Sequence, residues 1–273
     1  MMLLLNIYNF FYVLTHPDGI KLPGEPYATY FWGTENQMGY PLIIGLLFVI
    51  MAYQAGVLSK IYLTIYLCLH AISLVIIFSG TTLVGFCIAL MFLINIPPVS
   101  WFSKFSLSKL VCIFLGIFVF LFLFDGLVSF VKSDYVKYVI EDVLGKDTTM
   151  SGREVIWKMA VQEISKHPFL GNGIRESYNI FNINNHYLSA HNQLLQSLYE
   201  GGIMLFVAFI PLVNLASKSL KCQSKSVTIA FKAITLAILV MYMGEAMGLT
   251  TIMLILILAS LIHIGPENKL VEK

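Results

Sequence analysis

The sequence predicts an all-α polytopic membrane protein with about seven or eight transmembrane helices. One large extracytoplasmic loop containing short helices interrupts them. Three observations lead there. Of 273 residues, 58% are hydrophobic and only 12% charged, against about 25% charged in an ordinary soluble domain. Mean hydropathy is +0.81. Apolar runs near the length of a bilayer span recur along the chain, and a single long polar interval separates them. Too few polar residues are present to cover a soluble core of this size. That excludes a soluble globular domain, a disordered chain and a disulfide scaffold. The net charge of +2 gives nucleic acid no footing as a partner. Cys68, Cys87 and Cys112 sit in apolar runs and Cys222 in a lysine-rich loop, with no zinc or disulfide spacing.

The apolar runs follow in order. Residues 3–15 are a short run. No Lys or Arg precedes it and no small-residue cleavage site follows, so it does not read as a signal peptide. The chain opens on Met-Met-Leu-Leu-Leu, already apolar, and the expectation is that N-terminal helices are missing. Spans are expected at 40–58, 61–79, 81–97, 110–131, 201–216, 227–243 and 247–264. Lys60, then Lys104 and Lys109, then Lys218, Lys221 and Lys225 mark three short loops. The span count puts these on one side with the C-terminal tail, and the lysine bias assigns that side to the cytoplasm. Segments 16–39 and 132–192 then face outward. The expected organisation is N-terminal membrane helices over 1–131, the extracytoplasmic loop over 132–192 and C-terminal membrane helices over 193–273. The cytoplasmic membrane is the expected location.

The outer loop holds 14 of the chain's 32 charged residues, seven of each sign, and both of its arginines, Arg153 and Arg175. His167, His186 and His191 lie there too. Loops this long are functional or disordered, and Trp157, Phe169, Tyr178 and Tyr187 argue against disorder. Ser151 to Glu154 reads as a capping box. A helix is expected over 152–166, with Val155, Ile156, Met159, Ala160 and Ile164 on one face. His167-Pro168 stops it. Arg153 in its first turn is either a solvated charge or an anion ligand, because a helix N-terminus favours negative charge and arginine suits phosphate. Gly171-Asn172-Gly173 reads as a turn with positive φ.

Ser189 to Asn192 opens a second helix with Leu194, Leu195 and Leu198 on one face and Gly201-Gly202 near its end. His191 is expected in its first turn, as a capping residue or as a base that accepts a hydroxyl proton near neutral pH. His186 reads as a loop residue. The histidines show no metal spacing, and no cofactor is expected. Asp125 lies about six residues, roughly 9 Å, inside its span. An intramembrane carboxylate is either an interhelical contact or a functional group. Glu245 in an outer turn either lines a cavity mouth or is structural. Lys232 can snorkel, and mid-span His70 reads as an interhelical hydrogen-bonding residue.

Read together, these strings form a pattern. Ser151-Gly152-Arg153 with Trp157, then His167-Pro168-Phe169-Leu170-Gly171-Asn172-Gly173, then Ala190-His191-Asn192 with Leu195, Leu198 and Glu200-Gly201-Gly202 resemble the signature of the O-antigen ligase/polymerase family, the Wzy-like and WaaL-like membrane glycosyltransferases. Phe31 to Asn36 resembles the family's Gly…Asn loop, and Phe78 to Thr82 its Ser-Arg-Thr-like turn. Gly80 departs from the basic residue of many members. The resemblance covers roughly residues 30–260. It implies a glycosyltransferase acting on polyprenyl-diphosphate-linked oligosaccharide at the outer face of the cytoplasmic membrane, without a metal. His191 would be the catalytic base. Arg153, Arg175, Asn192 and Asp125 would be the substrate-binding residues. A flippase or a chain-length regulator is the implied protein partner.

Three activities remain open at this level: a polymerase of O-antigen or capsule type, a ligase to another acceptor, and a transporter or flippase of the lipid-linked glycan. A transporter predicts repeated halves with broken helices and midplane charges. No such halves are visible, and the polar chemistry is concentrated in one loop, which favours the enzyme.

Overall fold

The computed structural model describes residues 1–21, 23, 28–94, 96, 101–102, 104–123, 153–174, 181–183, 186–188 and 189–262. Helices dominate it. They are α1 (Met2–Thr15), α2 (Gly39–Gln54), α3 (Lys60–Ile77), α4 (Gly80–Leu93), α5 (Leu107–Leu123), α6 (Arg153–Lys166), α7 (Gln193–Leu220), α8 (Lys225–Gly244) and α9 (Thr250–Leu261). Two small hairpins accompany them: β1 (Thr29–Tyr30) with β2 (Gly33–Thr34), and β3 (Phe181–Ile183) with β4 (His186–Leu188). Each of the eight apolar runs in the sequence overlaps a helix within its described residues. Among the described residues, α3, α7 and α8 are long and apolar enough to cross a membrane, and the other apolar helices are shorter.

The chain divides into two compact units. The first comprises residues 1–108, 210–241 and 249–273. In it α1 packs against α3 and α2. Asn6 Nδ2 donates to the Tyr66 carbonyl at 3.0 Å, and the buried Tyr66 hydroxyl donates to the Leu42 carbonyl at 2.8 Å. Gly45 makes the second contact possible: a Cβ there would lie 2.1 Å from the Tyr66 hydroxyl. Small residues let helix backbones approach where lipid supplies no hydrophobic drive. Ala230, Ala233 and Ala237, all fully buried on α8, fit the same logic. Leu42, Ile43, Leu46, Leu47 and Leu74 fill the core. Outward, Leu4, Phe11, Ile61, Val75, Ile210 and Leu215 are exposed. Apolar surface on this scale suits lipid rather than water, and the protein is an all-α integral membrane protein.

The second unit comprises residues 109–209 and 242–248. Its core joins Phe118 of α5, Ile156, Trp157 and Ala160 of α6, and Ala190, Leu194, Leu195 and Tyr199. The structure bears out a helix ending at Lys166 before His167-Pro168. Val155, expected on the buried face, is instead exposed, while Ile156 and Trp157 are buried. The apolar stripe therefore runs through 156, 157 and 160. His186, read as a loop residue, lies in β4. The hairpin pairs Phe181 with Leu188, Asn182 with Tyr187 and Ile183 with His186. Phe, Ile, Tyr and Leu around an Asn-rich connection favour that local pairing. The loop thus carries a hairpin besides its helix.

Candidate active site

The site forms where three segments of the second unit meet: the start of α6, the entry to α7 and the turn after α8. Its foundation is a clasp between two glycine-containing strings. α7 is interrupted at Gly202, whose φ of 59° and ψ of −163° are not helical. The break frees carbonyls that a continuous helix would use. Asn172 N–H donates to the Tyr199 carbonyl at 2.7 Å and Gly173 N–H to the Glu200 carbonyl at 2.9 Å. In return Ile203 N–H donates to Pro168 at 2.9 Å and Met204 N–H to Phe169 at 3.1 Å. The backbones approach so closely that a Cβ on Gly171 would meet the Glu200 carbonyl at 2.5 Å, and one on Gly202 the Phe169 oxygen at 2.3 Å. The expected positive φ at Gly171 and Gly173 is present, at 69° and 81°.

The residues at 189–193 are held on this base. Trp157 Nε1 donates to the Ala190 carbonyl at 2.9 Å. Ala190 N–H donates to Gln196 Oε1 at 3.1 Å. Asn192 Oδ1 accepts from the N–H groups of Leu194 and Leu195, at 3.0 and 3.1 Å, as an N-cap. Its Nδ2 donates to the Met243 carbonyl at 3.2 Å. Asn192 is fully buried, and the bonds just given occupy both ends of its amide. The helix therefore starts at Gln193, and His191 precedes the cap instead of lying in the first turn. Between its fixed neighbours His191 adopts φ 45°. A non-glycine residue in that region carries strain and persists only where its surroundings over-determine it.

His191 faces Glu245. Its Nδ1 lies 3.1 Å from Glu245 Oε1. A carboxylate only accepts, so Nδ1 carries the proton and Nε2 is left as the basic nitrogen. Glu245 Oε2 stands 3.9 Å from Arg153 Nη2, and Arg153 Nη1 donates to the Gly244 carbonyl at 2.7 Å. That carbonyl ends α8 and carries its negative dipole end. The turn is closed by the Tyr242 hydroxyl donating to the Gly248 carbonyl at 2.8 Å and by Gly248 N–H donating to Gln193 Oε1. Burial raises the Glu245 carboxyl, but the His191 hydrogen bond, the His191 and Arg153 charges and the Ala246 N–H outweigh it. The group is held below its ordinary value. The Arg153, Glu245 and His191 side chains keep 22%, 12% and 28% of their surface exposed, so none of the three is sealed in the core.

The structure therefore brings Arg153, His191 and Asn192 together. Arg175 and Asp125, the other two candidate substrate-binding residues, lie outside the described residues, as does Ser151 of the capping box. Among the described residues no three His, Cys, Asp or Glu side chains gather as metal ligands. Sequence reasoning left Glu245 as a residue that lines a cavity mouth or is structural. The available signal was a single acidic residue in a glycine-flanked turn, Gly244 to Gly248, between two apolar runs. In the first unit the two upstream strings also meet: the Ser79 hydroxyl donates to Asn36 Oδ1 at 3.2 Å and pairs with the Thr82 hydroxyl at 2.9 Å.

A family model described as O-antigen ligase matches residues 63–210, just over half of the chain. The match includes Arg153, His191 and Asn192 and stops short of Glu245. No curated protein and no solved structure matches the chain.

Proposed function

Since the chain belongs to the O-antigen ligase family, we propose that it is a polysaccharide polymerase of O-antigen or capsule type. It transfers glycan from polyprenyl diphosphate to a sugar hydroxyl at the outer face of the cytoplasmic membrane. The observation that carries the reading is the Glu245-oriented His191 beside Arg153. The acceptor hydroxyl gives its proton to His191 Nε2 as its oxygen bonds to the anomeric carbon. The bond from that carbon to the diphosphate oxygen breaks, and the diphosphate leaves with the electron pair. Negative charge grows on the leaving group, and a preorganised arginine stabilises it most where water is scarce. Arginine thereby supplies the electrostatic help that a metal ion gives elsewhere, and the reading requires no metal.

Arg153 is the donor ligand in this scheme, with Arg175 and Asp125 as further substrate contacts. Asn192, buried and fully engaged, positions His191. One base and no carboxylate nucleophile predict inversion at the anomeric carbon. Product and donor of the same anomeric configuration would contradict it. The reading includes seven or eight spans, an outward-facing 132–192 segment and a flippase or chain-length regulator as partner. The family's description favours a second reading, a ligase that moves a finished glycan to another acceptor. The two share the broken bond and differ in the acceptor.

The test is glycan analysis of cells deleted for the gene and complemented with wild type, His191→Ala or Arg153→Ala. Single repeat units left on lipid, unrelieved by either variant, support the polymerase. Long lipid-linked chains that never reach a final carrier support the ligase. Wild-type polymer length and yield from both variants end the glycosyl-transfer reading.

A further inference from the structure

Among the described residues, Arg153 and the His191 imidazole share the one Glu245 carboxylate. Oε1 receives the His191 Nδ1 proton at 3.1 Å, and Oε2 lies 3.9 Å from Arg153 Nη2. Arg153 is tied to the same two-residue segment by its 2.7 Å bond to Gly244. The arginine charge and the imidazolium that forms during transfer therefore draw on the same anion. A change in the charge on Arg153 reaches His191 by way of the shared carboxylate as well as through space.

We infer that Glu245 couples the donor site to the base, so that binding of a diphosphate at Arg153 makes His191 a stronger base. The inference rests on the proposed donor role of Arg153 and adds an order of events to it. With Arg153 unliganded, its positive charge opposes a second positive charge on His191 and takes part of the Glu245 field. A bound diphosphate neutralises the guanidinium and leaves the carboxylate to His191. The base reaches full strength only when there is a glycan to transfer. After transfer the diphosphate leaves, the arginine charge returns, and His191 gives its proton to water. The cycle resets without a further group.

Among the described residues, α6 contributes Arg153, the 189–193 segment contributes His191, and the turn after α8 contributes Glu245. Tyr242 spends its hydroxyl on Gly248. Glu200 accepts from Gln196 at 2.7 Å, and Lys158 is exposed. The direction of the Glu245 shift, with His191 and Arg153 both among its causes, agrees with a carboxylate shared by these two groups.

The experiment uses the full chain in lipid nanodiscs, with ring-labelled histidine and inorganic pyrophosphate as probe. The His191 signal is assigned by its loss in His191→Asn, and pyrophosphate binding is measured separately by calorimetry. Adding pyrophosphate to wild type is expected to move the His191 titration midpoint upward by about one pH unit, tenfold in proton affinity. Arg153→Gln should show a raised midpoint already, with no further movement. Arg153→Lys, which keeps the charge, should keep the wild-type midpoint without probe. A wild-type midpoint unmoved while pyrophosphate binds overturns the coupling and leaves the glycosyl-transfer reading standing. An upward movement in Arg153→Gln equal to that of wild type overturns it too. No binding of pyrophosphate to wild type overturns the donor site itself, and the coupling with it.

Discussion

Replacing Glu245 by Gln removes one charge and almost no volume. The wild-type carboxylate receives the His191 proton at 3.1 Å and the Ala246 N–H at 3.3 Å, with its side chain 12% exposed. A glutamine can still turn its oxygen toward His191 Nδ1 and keep the tautomer. Its NH2 group then faces Arg153, where two donors oppose each other. What is lost is the charge assistance to the imidazolium. Hydrogen bonds to charged groups are worth about 1.5–3 kcal/mol and neutral ones about 1, so the difference is about 0.5–2 kcal/mol. At about 1.4 kcal/mol per tenfold, transfer slows by roughly 2- to 30-fold. Glu245→Leu removes the acceptor altogether and frees the tautomer, so its loss is expected to reach about 100-fold or more. The assay is polymer formation by purified protein from a lipid-linked repeat unit, with kcat and KM separated. The defect should fall on kcat, because His191 gains its charge only during reaction. A Glu245→Gln variant with wild-type kcat, or a Leu variant no worse than the Gln one, refutes the orienting role.

Further outcomes follow from other contacts. Trp157→Phe keeps the ring in the core and removes the bond to the Ala190 carbonyl. The orphaned carbonyl costs about 1–3 kcal/mol, seen as a lower thermal midpoint in detergent and a matching fall in activity. Gly202→Ala puts a Cβ against the Phe169 oxygen at a φ of 59° and should cost roughly 3 kcal/mol or more, enough to deplete folded protein on a size-exclusion trace. In the first unit, Asn9 is fully buried, and neither of its side-chain polar atoms has a partner among the described residues. Asn9→Leu is therefore expected to raise the thermal midpoint, since it removes about 1–3 kcal/mol of unsatisfied burial. The Glu245 carboxyl is held below its ordinary value, so it adds stability above the usual carboxylate range and loses it as pH falls through its own value. Wild type and Glu245→Gln should accordingly converge in thermal midpoint on acidification.

Much of the fold was legible because its signal is local. Apolar runs marked the apolar helices, three of which among the described residues are long enough to cross a membrane, and His167-Pro168 marked the end of α6. The misjudged features depend on distant partners. Val155 and Trp157 differ in burial because α6 turns toward Ala190 and Phe118, which no periodicity within α6 states. Positive φ at His191 is set by Trp157, Gln196 and Asn192 pulling on its neighbours. A histidine in sequence carries no mark of it. Glu245 stands 54 positions from His191, and only the fold closes that distance. β3 and β4 were short enough to be lost within a polar loop.

The strings that carry the family resemblance divide by physical role once their contacts are known. His167 to Gly173 touches the Tyr199 to Met204 segment that contains Glu200-Gly201-Gly202, through four backbone hydrogen bonds and two approaches that only glycine permits. Trp157 holds the Ala190 carbonyl just before His191, and Asn192 caps the helix just after it. Arg153 and His191 alone among the described residues of these strings turn partly exposed charged or basic atoms toward Glu245. Most of the recognisable pattern is thus scaffold for a strained histidine. Strain at His191 has a direct catalytic use in the proposed reaction. A base held off its relaxed backbone conformation cannot drift when the acceptor arrives, so the entropy of orienting it is already spent in folding. Loosening the clasp should then lower kcat before it unfolds the chain. A variant that relaxes it mildly, Asn172→Ala, which removes only the 3.3 Å side-chain bond to Tyr199 and keeps the backbone pair, separates the two. Reduced kcat at an unchanged thermal midpoint supports preorganisation, whereas parallel losses reduce the clasp to a stabilising contact.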